Sequence, residues 1–106
     1  MYELLYRLGL RAESAGFFYV VRAVMLASRQ PERLLFPSCW LYPVIAGCYN
    51  CSAAAVELGI KCASQKLWRQ NRHALEQLAG RKLEHPPNSG ELIALLAIVV
   101  RGKRAA

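Results

Sequence analysis

The chain has 106 residues, of which 55% are hydrophobic, so it is long enough for the core of one domain and too short for two. Fourteen Lys and Arg stand against seven Glu and no Asp, which gives a net charge of +7. The hydrophobic content excludes wholesale disorder, and the charge favours a polyanionic partner such as nucleic acid or an anionic membrane surface.

The apolar stretches are too short or too interrupted for a membrane span, which needs ~20 residues. The apolar stretch over residues 34–48 is broken by Pro37 and Pro43, and the one over residues 92–100 is too short. The first ten residues lack the basic region and cleavage site of a secretory signal. We therefore expect a cytoplasmic protein that does not enter membranes and keeps its four cysteines reduced.

The N-terminal third predicts two helices. Residues 1–10 form a short amphipathic pattern that stops near Gly9. Residues 15–28 repeat apolar side chains at helical spacing, with Phe18 and Met25 widening the stripe, so this should be the central helix. The residues on its buried face are Phe17, Val20, Val21, Val24 and Ser28.

Proline and glycine mark the next boundaries. A turn with at most one helical turn follows Pro31, and a helix is expected from Pro43 to Tyr49, because proline is tolerated in a first turn but not later. A longer helix should cover residues 53–71, followed by a short one that ends at Gly80. The apolar stripe of the longer helix is Val56, Ile60, Ala63 and Leu67.

The last helix has its own start signal, with Asn88 or Ser89 as N-cap and Glu91 in the first turn. No segment alternates with period two, so no strands are expected. The prediction is one all-α domain over residues 1–106, a compact bundle of five or six short helices.

A C-x-x-C pair at Cys48 and Cys51 coincides with the spacing of a helix-turn-helix over residues 43–71. Asn50 takes the left-handed turn position, four residues after the small Ala46, and Val56 locks the second helix onto the first. Cys51 then plugs the elbow, a role that suits a free cysteine, and Ser52 is the N-cap. The residues predicted to face inward are Ile45, Tyr49, Cys51 and Val56.

A zinc site needs four converging ligands, usually as two pairs, and this chain offers one pair. Cys62 falls on another side of its helix, and His73 and His85 lack ligand spacing. No βαβ pattern surrounds the pair, which disfavours a redox motif. We expect no metal and no cofactor.

An enzyme is equally disfavoured. There is no Asp, the Glu residues are scattered, no serine has a histidine partner at a recognisable spacing, and no glycine-rich phosphate loop is present.

Three stretches, with Trp68, carry a family resemblance: "GFFYVVRAV" at 16–24, "LYPVIAGCYNCSAAAVELGIK" at 41–61 and "PPNSGELIALLA" at 86–97. In their order and spacing they resemble the C-terminal DNA-binding effector domain of the stage 0 sporulation response regulator. The resemblance implies a six-helix, winged-helix-like all-α domain that binds double-stranded DNA as tandem copies. The family's receiver domain has no counterpart in this sequence, so phosphorylation control in cis is not carried over.

Opposite the buried stripe, the second helix of the helix-turn-helix presents the face that would enter the major groove. Lys61 and Gln65 could read base edges, Leu58 could touch a thymine methyl, and Arg69 and Arg72 would contact phosphates. The resemblance implies arginines at positions 55, 58 and 61. This chain has Ala55 and Leu58 at the first two positions and keeps a basic residue, Lys61, at the third. The candidate DNA-binding residues are Ser52, Ala54, Ala55, Leu58, Lys61, Gln65, Arg69 and Arg72.

The loss of two arginines leaves an alternative open. Leu58 with Ala53–Ala55 makes a small apolar patch that could dock a protein, such as a full-length relative of the regulator. On that interpretation the domain is a protein-interaction or antagonist module. Sequence-independent nucleic-acid binding is the third possibility.

Overall fold

A computed structural model describes residues 15–105, with side chains described as far as Val100. The helix expected over residues 1–10 lies outside this range. The described elements are α1 (Ala15–Arg29), a 3₁₀ helix (Pro31–Leu35), α2 (Pro37–Trp40), α3 (Tyr42–Tyr49), α4 (Ala53–Ala79) and α5 (Ser89–Ala105). Residues 15–105 contain no strand, which confirms the all-α class.

The number of helices differs slightly from the five or six predicted. Only four described α-helices have eight or more residues, since α2 is a single turn. The boundary expected between a helix over 53–71 and one over 72–79 is present, because Ala53–Ala79 consists of two helical segments that meet in a kink at Asn71 (φ −150°, ψ 48°).

Helix α1 is central, as predicted, and packs against both α4 and α5. Phe17, Val20 and Val24 are completely buried. The predicted widening of the stripe is wrong, because Phe18 and Met25 are 37% and 40% exposed. Small residues, among them Ala23 and Ala27, fill the rest of the buried face instead.

Small residues are needed because α1 and α4 cross backbone to backbone. A Cβ atom on Gly16 would lie 2.6 Å from the carbonyl oxygen of Gly59, and one on Gly59 would lie 2.7 Å from the Tyr19 ring. Only glycine fits at either position. The crossing fixes the first half of α4 against the core.

Helix α4 buries the predicted stripe of Val56, Ile60, Ala63 and Leu67, so its opposite face is directed to solvent. It ends at Gly80, as predicted, in a left-handed conformation (φ 72°). The Gly80 N–H donates to the carbonyls of Glu76 and Gln77 at 2.9 and 3.3 Å. Such a C-cap satisfies carbonyls that the helix end leaves unpaired.

Helix α5 starts on a reciprocal cap. The Asn88 side chain accepts the Glu91 N–H and donates to the Glu91 carboxylate, both at 2.8 Å. Of the two predicted candidates, Asn88 is therefore the N-cap. Ser89 is buried instead, and its Oγ accepts a 2.8 Å hydrogen bond from the Tyr42 hydroxyl.

Among the described helices, none taken singly is both long and apolar enough to cross a bilayer. The segments Pro37–Tyr49 and Ala53–Ala79 meet those criteria only when joined, and the chain bends by 99° between them.

Candidate nucleic-acid interface

The interface is built on the turn between α3 and α4. Helix α3 is capped by Asn50, which adopts left-handed angles (φ 53°, ψ 50°) and donates its N–H to the Ala46 carbonyl. Cys51 also donates to Ala46, at 3.0 Å. Ser52 is extended, and its Oγ accepts the Ala55 N–H at 3.1 Å. The predicted left-handed turn at Asn50 and the predicted N-cap at Ser52 are confirmed.

Packing in the elbow holds the two helices together. Ile45 and Val56 are completely buried, and Cys51 is half-buried against the core. The inward position predicted for Tyr49 is wrong, because this residue is 38% exposed. As the last residue of α3, it lies over the surface of α1, where its ring packs edge-on against Tyr19 with centroids 5.4 Å apart.

The C-x-x-C pair belongs to this turn. Cys48 is exposed, and Cys51 faces α1, where its Sγ lies 3.6 Å from the Tyr19 hydroxyl. That contact, with some desolvation, raises the pKa of Tyr19. In the described part of the chain all four cysteines are free, and no three His, Cys, Asp or Glu side chains are placed to hold a metal ion.

The reading face is the solvent-exposed surface of α4 that follows the turn. Leu58 is 60% exposed, and Ala55 is half-buried at its edge. Ser52 is exposed while its hydroxyl caps the helix. The other exposed residues predicted for this face are Ala54, Lys61, Gln65, Arg69 and Arg72, with Cys62 exposed beside them.

Arg72 differs from the rest because its guanidinium has partners within the protein. Its Cζ lies 4.3 Å from the centre of the Trp68 ring, and its Nη2 donates to the Leu83 carbonyl at 2.6 Å. Its Nε lies 3.8 Å from a Glu76 carboxylate oxygen, which accepts the Leu83 N–H at 2.8 Å. Both backbone groups of Leu83 are thereby bound to α4.

A loop beside the reading face was not foreseen from the sequence. Residues 81–88, which we term the return loop, connect α4 to α5. The Ser64 hydroxyl donates to the Pro87 carbonyl within this loop. A cleft of about 310 Å³ separates it from α4 and is lined by Glu57, Lys61, Gln65, Pro86, Pro87, Asn88 and Ser89.

The start of the return loop is basic. Arg81 and Lys82 are exposed immediately after the Gly80 cap. They border a cavity of about 470 Å³ together with Leu83, Glu84, His85 and Glu91. The available signal was a helix stop followed by two basic residues, which gives no indication that the loop folds back along α4.

This geometry suits a duplex groove: a two-helix turn, a convex face carrying one lysine, one glutamine and one arginine, and basic residues next to it. The family model described as "Sporulation initiation factor Spo0A C terminal" matches residues 1–100 of the chain.

Proposed function

Because the chain belongs to the Spo0A C-terminal family, whose members are DNA-binding domains and not enzymes, we propose that it regulates transcription by inserting α4 into the major groove of double-stranded DNA. The observation that carries the proposal is the exposure of Lys61, Gln65 and Arg69 on one face of α4, directly after the Asn50 turn. Residues on the N-terminal part of such a helix meet base edges.

The proposal divides the reading face into two roles. Lys61 and Gln65 read base edges, and Leu58 offers an apolar contact to a thymine methyl. Ser52, Ala54 and Ala55 are small and let the start of α4 approach the bases closely. Arg69 contacts a phosphate. The part of the Arg72 guanidinium that remains accessible beside its internal partners contacts a phosphate as well.

The direct test is a salt titration of binding to a random duplex, followed by selection of preferred sequences. Phosphate contacts make affinity fall steeply with salt, and base contacts enrich a motif. We expect both results. Absence of binding at ~50 mM salt, where phosphate contacts are strong, would refute the proposal. Salt dependence without an enriched motif would reduce it to sequence-independent binding.

The two roles can be separated with a pair of variants. Lys61→Ala should change the selected motif at one position, with discrimination of ~1–3 kcal/mol lost there, whereas Arg69→Ala should weaken every sequence alike and lower the salt slope by about 1. Competition binding against a panel of single-base variants measures both effects. Uniform losses for both substitutions would contradict this division.

One observation favours a second candidate function. Leu58 is 60% exposed at the centre of the reading face and has small neighbours, which is typical of a docking residue. On this alternative the domain captures a protein, such as a full-length response regulator. Leu58→Arg should then abolish capture of that regulator in a pull-down, while unchanged capture would remove Leu58 from the interface.

We also propose that the domain acts in the cytoplasm and binds DNA as tandem copies, as the family resemblance suggests. Binding to a duplex that carries one or two selected sites tests the second point. Tandem binding predicts that two copies bind the two-site duplex and that the second copy binds with greater affinity than the first. Independent binding to both sites would exclude it.

A further inference from the structure

We propose that the return loop is a second DNA-contacting element, in which Arg81 and Lys82 bind backbone phosphates while Arg72 holds the loop in place. This inference rests on the proposed DNA binding and adds a surface to it. It assigns a positioning role to Arg72, whose predicted role was phosphate contact.

The return loop follows the surface of α4. Leu83 is bound to α4 at Arg72 and Glu76, and Pro87 is bound at Ser64. Ser64 precedes Arg72 by eight residues and lies on the N-terminal side of the kink at Asn71. The loop therefore runs antiparallel to α4, from its C-terminal end back toward the reading face.

The end of the return loop lies on the side of α4 that carries Lys61 and Gln65. At ~100° per residue, Lys61 and Gln65 are about 60° and 100° around the helix from Ser64. They also line the cleft that separates α4 from residues 86–89. The loop thus borders the reading face and does not lie behind it.

The dimensions of DNA make this position significant. A helix with its side chains is ~10–12 Å across, and the major groove is ~12 Å wide, so a helix in the groove fills it. A segment packed against the flank of that helix meets the sugar-phosphate ridge. Arg81 and Lys82 are exposed at the start of the same loop, directly before Leu83, which Arg72 holds against α4.

Opposing charge in the loop sharpens the inference. Glu84 lies beside Arg81 and Lys82 around the same cavity, and Glu91 borders it while paired with Asn88. Phosphates near Glu84 are repelled by its carboxylate. Neutralising Glu84 should therefore strengthen binding, opposite to the effect of removing its basic neighbours.

Single substitutions test the contact. Arg81→Ala and Lys82→Ala should each lower affinity for a random duplex and reduce the salt slope by about 1, without changing the selected motif. Glu84→Gln should raise affinity. Arg29→Ala is the matched control, because Arg29 is also exposed but ends α1, which packs on the core side of α4.

The outcomes separate this inference from the proposed function. If the unaltered chain binds duplex DNA but Arg81→Ala and Lys82→Ala behave like Arg29→Ala, the loop is not a contact and the inference fails alone. If the unaltered chain does not bind at ~50 mM salt, the proposed function and the inference fail together.

Arg72→Lys tests the positioning role. Lysine keeps the charge but lacks the planar fork that stacks on Trp68 while donating to the Leu83 carbonyl. We expect faster amide hydrogen exchange in residues 81–84 and weaker binding to all sequences. Parental exchange and parental affinity in Arg72→Lys would overturn the positioning role.

Discussion

At the scale of single residues, the absence of a methyl group at positions 16 and 59 determines how closely α1 and α4 approach. The carbonyl of Gly59 occupies the space where a Cβ atom on Gly16 would lie. Backbone atoms cannot move aside as a flexible side chain can. The orientation of α4 therefore depends on two glycines outside the proposed reading face.

We predict that Gly16→Ala lowers the free energy of unfolding by about 1–3 kcal/mol, the usual cost of overpacking a core. Gly47→Ala is the control, because a Cβ atom at that exposed helical position meets nothing within 4 Å. It should stabilise the protein by up to about 1 kcal/mol. Urea unfolding followed by circular dichroism measures both, and equal changes would contradict the crossing geometry.

Residue-level predictions from the sequence succeeded where spacing alone decides burial. The four residues of the predicted apolar stripe, Val56, Ile60, Ala63 and Leu67, are all buried. Phe18, Met25 and Tyr49 were misplaced because apolar character does not reveal which side a neighbouring helix covers. The partners of Arg72 could not be predicted, since they depend on a loop that returns to α4 from later in the chain.

At the scale of elements, the turn between α3 and α4 is specified locally. Asn50 tolerates the left-handed region because its short polar side chain reduces the steric cost, and Ser52 caps the next helix. These signals occupy a few consecutive residues, so the turn could be predicted from sequence. The return loop lacks such signals, because its path is set by contacts with Ser64, Arg72 and Glu76.

We predict that Asn50→Val destabilises the protein by roughly 1–2 kcal/mol, since a β-branched residue is strained at positive φ. Asn50→Gly should be tolerated, because glycine adopts this conformation freely. Thermal unfolding of the two variants side by side gives the comparison. A Gly variant as unstable as the Val variant would show that the asparagine side chain, and not the backbone angle, matters.

The N-cap provides an independent element-scale prediction. Ser52→Ala removes the acceptor of the Ala55 N–H and should cost about 1 kcal/mol of stability. Ser52→Asp should retain the cap while placing a negative charge where the proposal brings DNA. Stability near the parental value combined with weaker DNA binding is expected for Ser52→Asp. Unchanged DNA affinity would place this end of α4 away from the duplex.

At the scale of the whole molecule, the Tyr42–Ser89 hydrogen bond joins α3 to α5 across 47 positions of sequence. Burial raises the pKa of Tyr42, more than the hydrogen bond with Ser89 lowers it. The folded protein therefore holds the phenolic proton more tightly than the unfolded chain. The resulting stabilisation is complete below the ordinary tyrosine pKa of ~10 and is lost as the pH rises through the higher folded-state value.

We predict that Tyr42→Phe loses about 1 kcal/mol at pH 7, because Ser89 loses its buried partner. Above pH ~10 the parent should lose stability more steeply than this variant, which lacks the ionising group. Urea unfolding between pH 7 and 11 measures both. Parallel pH profiles would show that ionisation of Tyr42 does not couple to folding.

The global arrangement was only partly predictable. Period-3.6 patterns and the absence of alternation gave the all-α class. The central position of α1 was predicted correctly, although Phe18 and Met25, which widened its predicted stripe, are exposed. The break in α4 at Asn71 falls at the expected helix boundary, but the sequence did not show how the two segments meet. Nor did local patterns indicate that the chain returns along α4 to border the reading face.

The side chains on the exposed side of α4 contribute little to the stability of the core that supports them. Leu58, Lys61 and Gln65 project into solvent, and substitutions at such positions usually alter stability by less than about 0.5 kcal/mol. On the proposed function, evolution can therefore replace these residues and change the preferred DNA sequence while the fold is retained. For the same reason, the domain is a suitable scaffold for engineering an altered DNA-sequence preference.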